Sequence, residues 1–184
     1  MGFVHGADGW RQYTDVTTAE TYPDQVTLAD VQAAADCLYG VAVRTPLLAF
    51  GDFDDEFGAS RVWLKPENLQ PIGAFKIRGA YTALSTLSPA EKDRGVVTHS
   101  SGNHAQGVAR AARMLGRMRA VIVMPEDAPA IKVAGVRSDG AEIVFVGADN
   151  EERIERADQL AAEQGLVLIP SFDDARIVAG QGTV

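Results

Sequence analysis

Apolar and polar positions along this chain fall into two rhythms that alternate from about residue 61 onward. Short runs of Val, Ile and Leu at 61–65, 95–99, 119–124, 141–146 and 166–169 have the length and β-branched content of strands. Between them lie segments whose apolar residues recur every three or four positions, which predicts helices over 75–87, 103–115, 130–138 and 150–164. On the second of these, Val108, Ala111, Ala112 and Leu115 share one stripe. Pro66, Pro125 and Pro170 each stop a strand. Four of the short runs, separated by helices of crossover length, predict a parallel sheet with helices on both faces. In such sheets ligands bind beyond the carboxyl ends of the strands, so the loops after residues 99, 124, 146 and 169 are the places to look.

Before residue 61 the pattern is weaker. The first 22 residues are polar, rich in Gly and Thr and without period, and read as a loose arm. Thr27 then precedes an Ala-rich stretch as a hydroxyl N-cap, with the helix ending near Gly40. Arg44-Thr45-Pro46-Leu47-Leu48 reads as an extended turn leading into a short strand. Asp52, Asp54, Asp55 and Glu56 form an acidic loop, read as a solvated turn rather than a cation site.

Composition narrows the class. The 184 residues are 46% hydrophobic and 23% charged, enough for a packed core and unlike a disordered or collagenous chain. A net charge of -8 argues against a broadly basic nucleic-acid surface. No apolar run approaches the ~20 residues that span a bilayer, and the N-terminus lacks the pattern of a signal peptide, so a cytoplasmic protein is expected. The single cysteine, Cys37, excludes an internal disulfide and a cysteine metal cluster. His99 and His104 lie five apart without a carboxylate at ligand spacing, and no metal site is expected. The chain has no Gly-x-Gly-x-x-Gly, no Walker loop and no Gly-x-Ser-x-Gly elbow, which weakens nucleotide-binding and hydrolase readings.

Two segments carry candidate chemistry. Lys76 stands between Phe75 and Ile77, just after a Pro/Gly loop. An amine in apolar surroundings loses hydration of its charged form and becomes a usable nucleophile or base. A first-turn lysine that snorkels to water is the competing interpretation. Lys92 and Lys132 read as surface residues. The second segment, Thr98-His99-Ser100-Ser101-Gly102-Asn103-His104-Ala105-Gln106-Gly107, joins a strand to a helix, where small residues and free N–H groups suit an anion such as a carboxylate. Capping by Ser100, Ser101 or Asn103 is the simpler alternative.

In order along the chain, Arg44-Thr45-Pro46-Leu47, Leu64-Lys65-Pro66-Glu67-Asn68-Leu69-Gln70 and Gly73-Ala74-Phe75-Lys76-Ile77-Arg78-Gly79-Ala80-Tyr81 are followed by Ser100-Ser101-Gly102-Asn103-His104-Ala105-Gln106-Gly107. Val123-Met124-Pro125-Glu126-Asp127-Ala128-Pro129 and Ala179-Gly180-Gln181-Gly182-Thr183 complete the set. From about Pro23 onward, the chain closely resembles the serine/threonine dehydratase and serine racemase family, pyridoxal-phosphate enzymes of the tryptophan-synthase-β fold type.

The resemblance implies an α/β, three-layer parallel-sheet architecture with a complete smaller domain over 72–170. It assigns 23–71 and 171–184 to a partial larger domain, beyond the arm of 1–22. It implies that Lys76 holds pyridoxal phosphate as a Schiff base and takes the substrate α-proton, with Phe75 beside the ring and Asn103 bonded to the phenolic oxygen. Ser100, Ser101, Gly102, Asn103 and His104 would cradle the substrate carboxylate. The activity implied is an L-threonine/L-serine ammonia-lyase giving a 2-oxo acid and ammonia, acting on a small amino acid as a homodimer or larger homo-oligomer. Ser101 stands where many threonine dehydratases have Ala, which keeps serine racemase and hydroxyaspartate dehydratase as alternatives. Ala74 replaces the family's common Ser. The family's Gly-rich phosphate loop, its Ser or Cys facing the pyridine nitrogen and its divalent-cation carboxylates come later than the last residue here. The sequence-based expectation is therefore a truncated chain, with a non-catalytic remnant as the alternative of another class.

Overall fold

A computed structural model describes the backbone of residues 2–6 and 9–13, and residues 26–50 and 62–184. The acidic loop at 52–56 lies outside the described residues. Strands β1 (Gly2–Gly6) and β2 (Gly9–Tyr13) pair antiparallel with Gly6 opposite Gly9, so part of the expected arm is a two-stranded ribbon.

Helix α1 (Leu28–Cys37) starts as the sequence predicts. Thr27 accepts from the Asp30 N–H, and the Asp30 carboxylate accepts from the Thr27 N–H at 2.7 Å, a reciprocal box that satisfies two otherwise orphaned donors. Strands β3 (Leu48–Ala49) and β4 (Trp63–Leu64) form a two-stranded ribbon whose residues are all exposed. A 3-10 turn at Glu67–Leu69 leads to α2 (Lys76–Ser85).

The main sheet is built from β5 (Val96–His99), β6 (Ala120–Pro125), β7 (Glu142–Val146) and β8 (Val167–Leu168). Its order is β7-β6-β5-β8 and all three pairings are parallel. Crossovers run through α4 (Asn103–Met114), α5 (Ala130–Ser138) and α6 (Asn150–Gln164). Side chains alternate across the two central strands. Val96, Ile122 and Met124 join the core built with α2, α4 and α5, whereas Val97, Val121 and Val123 face Ala157 and Leu160 of α6. That alternation is why both strands read as continuous apolar runs. Each fully buried Val, Ile or Met contributes about 1.5–3 kcal/mol relative to exposure.

Two helices were not anticipated. The segment around Lys92 is α3 (Pro89–Arg94), started by a Ser88/Glu91 capping box with Pro89 in the first turn. The second is α7 (Ala175–Gln181), where the Asp174 carboxylate accepts from the Arg176 and Ile177 N–H groups and Ile177 enters the α2/α4 core. Among the described residues, no helix is long and apolar enough to cross a membrane.

The residues of the early and late motifs meet in one buried polar network. Arg78, on α2, donates from Nε and Nη2 to the two Glu67 oxygens at 2.7 and 2.9 Å, from Nη2 to the Val43 carbonyl, and from Nη1 to Thr183 Oγ1. Thr45 donates to Glu67 Oε1 at 2.7 Å, and Gln70 bridges the backbone of Val43 in both directions. Burial by itself would raise the Glu67 pKa. The hydrogen bonds from Arg78, Thr45 and Gln70, with the guanidinium charge, together outweigh it and bring the carboxyl to about 2. Thr45, Glu67, Gln70, Arg78 and Thr183 are thereby accounted for as architecture.

Candidate active site

The carboxyl ends of the neighbouring strands β5 and β8 supply the loops around which the candidate residues gather. Lys76 opens α2 at the point where the Pro/Gly loop of 71–74 ends. Its Nζ donates to the Ser171 carbonyl, in the loop after β8, at 2.7 Å. Phe75 lies beside it, with its ring centroid 5.5 Å from Nζ. The amine is half-buried, and that loss of hydration lowers its pKa below the usual lysine value. Snorkelling to open water is therefore not what Lys76 does.

His104 converges on the same loop. It is buried on α4, and its Nε2 lies 3.4 Å from the Ile169 carbonyl, which also accepts from Thr98 Oγ1 at 2.7 Å. A carbonyl can only accept, so the proton of a neutral His104 belongs on Nε2. Nδ1 is left as a buried acceptor without a partner. Burial above all, and secondarily the charges of Lys76 and His99, brings the His104 pKa down to about 4.

The start of α4 bears on the capping alternative. The N-cap is Gly102, and no side chain caps the helix. Ser100 Oγ instead accepts from the Gly102 N–H at 3.2 Å, and the Ser100 N–H extends the β5–β6 ladder to the Val123 carbonyl. None of the serines is spent on the first turn, whose N–H groups and dipole remain available to an anion. Ser101 and Asn103 are exposed.

Direct bonds tie Lys76 to the loop after β8 rather than to Ser100–Asn103. The two segments are brought close by backbone packing. A Cβ on Gly107 would lie 3.1 Å from the Lys76 carbonyl oxygen, so a glycine there lets α4 press on the first turn of α2. Lys132, read from sequence as a surface residue, belongs to this neighbourhood. Its Nζ donates to Asn103 Oδ1 at 2.5 Å and to Gln106 Oε1 at 3.0 Å. Nothing in the local sequence of α5 marks it, because its partners lie 29 and 26 residues upstream. Among the described residues no group of three or more His, Cys, Asp or Glu is placed to hold a metal ion.

Comparison with known proteins identifies the family. A family described as pyridoxal-phosphate dependent enzyme matches residues 39–184. The chain is 51% identical over 154 residues to an L-threo-3-hydroxyaspartate ammonia-lyase from Pseudomonas sp, covering 84% of this chain and 48% of the relative. It is 41% identical to a serine racemase from Schizosaccharomyces pombe, covering 85% and 48%. The structure of the processed form of threonine deaminase isoform 2 from Solanum lycopersicum superposes with a TM-score of 0.76 at 42% identity, over 85% of this chain and 42% of that one. The chain thus spans less than half the length of each of these relatives.

Proposed function

Since the chain belongs to the pyridoxal-phosphate-dependent enzymes, within a group of ammonia-lyases and racemases, we propose that it carries the lysine and carboxylate-binding portion of an ammonia-lyase site. The substrates are small β-hydroxy amino acids of the threonine, serine and 3-hydroxyaspartate type. The observation that carries this reading is the half-buried Lys76 amine, with its lowered pKa, beside Phe75 and at the same loop as His104.

The donor set suits the cofactor: an amine whose charged form is less favoured than in water, an aromatic ring beside it, and a helix start with no side-chain cap. When bound, pyridoxal phosphate supplies an aldehyde for the lysine and an electron sink for negative charge at the substrate α-carbon. Lys76 would hold it through Nζ and would accept the substrate α-proton at the same atom. Phe75 would pack beside the cofactor ring, and Asn103 would donate its amide N–H to the phenolic oxygen. The Ser101 hydroxyl and the N–H groups of Asn103 and His104, with Ser100 and Gly102 shaping the turn through their own hydrogen bond, would hold the substrate carboxylate. The substrate loses its α-proton and its β-hydroxyl as water, and hydrolysis of the resulting imine gives a 2-oxo acid and ammonia. On this reading the flanks at 23–71 and 171–184 belong to one larger domain beside a smaller one at 72–170, and Arg78, itself within 72–170, joins both flanks through Glu67, the Val43 carbonyl and Thr183.

Racemisation is the second reading. It is favoured by the exposed Ser101 hydroxyl, which on this reading returns a proton to the face opposite Lys76. Incubation with pyridoxal phosphate, borohydride reduction and peptide mapping is expected to place a phosphopyridoxyl group on Lys76, and Lys76→Ala should abolish it. Label confined to Lys92 and Lys132 would sink the reading. Release of 2-oxo acid from threonine, serine and 3-hydroxyaspartate then ranks the substrates. Loss of D-serine formation in Ser101→Ala, with 2-oxo acid release retained, would single out the second reading.

A further inference from the structure

Lys132 is an ammonium used by no step above, yet it is engaged by two polar side chains of α4, Asn103 and Gln106. Its Nζ lies 2.5 Å from Asn103 Oδ1 and 3.0 Å from Gln106 Oε1. An ammonium only donates, so the amide atom facing it must be the oxygen in each case. The orientation of both amides, normally ambiguous between O and N, is fixed here by the chemistry of the partner. For Asn103 the consequence is direct. With the oxygen committed, the Nδ2 hydrogens are the end that remains to donate to a ligand oxygen.

We propose that Lys132 is a positioning residue for the cofactor site. Through Asn103 Oδ1 it presents the amide N–H to the ligand, and its positive charge, one amide removed, strengthens that donor toward an anionic oxygen. The inference rests on the cofactor reading, in which Asn103 bonds the phenolic oxygen. Two features show that the contact is built rather than incidental. Lys132 is half-buried rather than extended into solvent. The same ammonium also holds Gln106, whose Nε2 occupies the space that a Cβ on Gly135 would need, so α5 is seated directly against α4 beneath the lysine. A lysine that merely covered the surface would require neither amide to show it an oxygen.

The test uses the whole chain and compares Lys132→Met, which keeps the aliphatic stem, with Lys132→Arg, which restores the charge. Side-chain amide resonances of Asn103 and Gln106 are followed by NMR without cofactor. They are expected to shift and exchange faster in the Met variant and to recover toward the parent in the Arg variant, with unchanged melting temperature. Pyridoxal phosphate titration, read from the visible absorption band and its pH dependence, should show about tenfold weaker uptake in Lys132→Met and partial rescue in Lys132→Arg.

Unchanged Asn103 resonances in the Met variant would overturn the proposal. So would shifted resonances with parental cofactor affinity and band position. If the parent chain forms no adduct on Lys76, it is the cofactor reading that fails, and the Asn103 resonances still decide whether Lys132 sets the amide.

Discussion

At His104 the imidazole is held neutral because it is buried and because its environment offers no acceptor for a second ring proton. The unfolded imidazole protonates near 6.5 and the folded one only at about 4. Between those values the unfolded chain binds more protons, so stability rises with pH: the contribution is complete above about pH 6.5 and is lost as pH falls toward 4. The size of the loss is on the order of 2–3 kcal/mol. Urea denaturation across this window should show that drop in the parent and a markedly flatter profile in His104→Gln, and parallel profiles would contradict it. Lys76 and Lys132 show what residue-scale reading of a sequence reaches. Lys76 is marked locally, by apolar neighbours and a Pro/Gly loop. Lys132 sits on a helix whose pattern is that of any solvated face, and only its distant partners on α4 distinguish it.

At the scale of elements, the strands and crossover helices were legible because burial on both faces of β5 and β6 leaves unbroken apolar runs. The termini of α5 and α6 fall at the expected residues, 130–138 and 150–164. Helix α3 was missed although Ser88, Pro89 and Glu91 spell its start, because it is six residues long and carries none of the buried stripe that marks a longer helix. Helix α7 was missed for a different reason. Its packing against α2 depends on small residues rather than on an apolar stripe. A Cβ on Gly180 would lie 2.6 Å from the Gly79 Cα and 2.7 Å from the Arg78 carbonyl oxygen, and a backbone cannot yield as a side chain can. Gly180→Ala is therefore expected to destabilise by about 1–3 kcal/mol through forced separation of α2 and α7. A parental unfolding midpoint would contradict the close approach.

For the whole molecule, the ordered motifs pointed to the family correctly, but the sequence could not say which of them are chemical and which architectural. Thr45, Gln70 and Thr183 come from separate segments and converge on one ion pair, the first two on the Glu67 carboxylate and the third on the Arg78 guanidinium. Breaking that centre has a definite cost. Glu67→Gln leaves the Arg78 charge, with a side chain only 7% exposed, facing neutral groups, and should cost about 3–5 kcal/mol at neutral pH. The same substitution should remove the stability that the parent loses as pH falls from 4.5, the ordinary glutamate value, toward 2. Equal acid sensitivity in the two proteins would count against the network.

The contacts of that network also differ in what they cost in chain entropy. Arg78 reaches Glu67 across 11 residues, the Val43 carbonyl across 35 and Thr183 across 105. Closing the longest of these loops costs about 2 kcal/mol more chain entropy than closing the shortest. The ion pair is therefore the contact that the chain can make locally, whereas the threonine contact depends on the rest of the fold being in place. The bond across 105 residues is thus the contact of the set with the largest chain-entropy cost, a latch whose value depends on the ion pair it closes over.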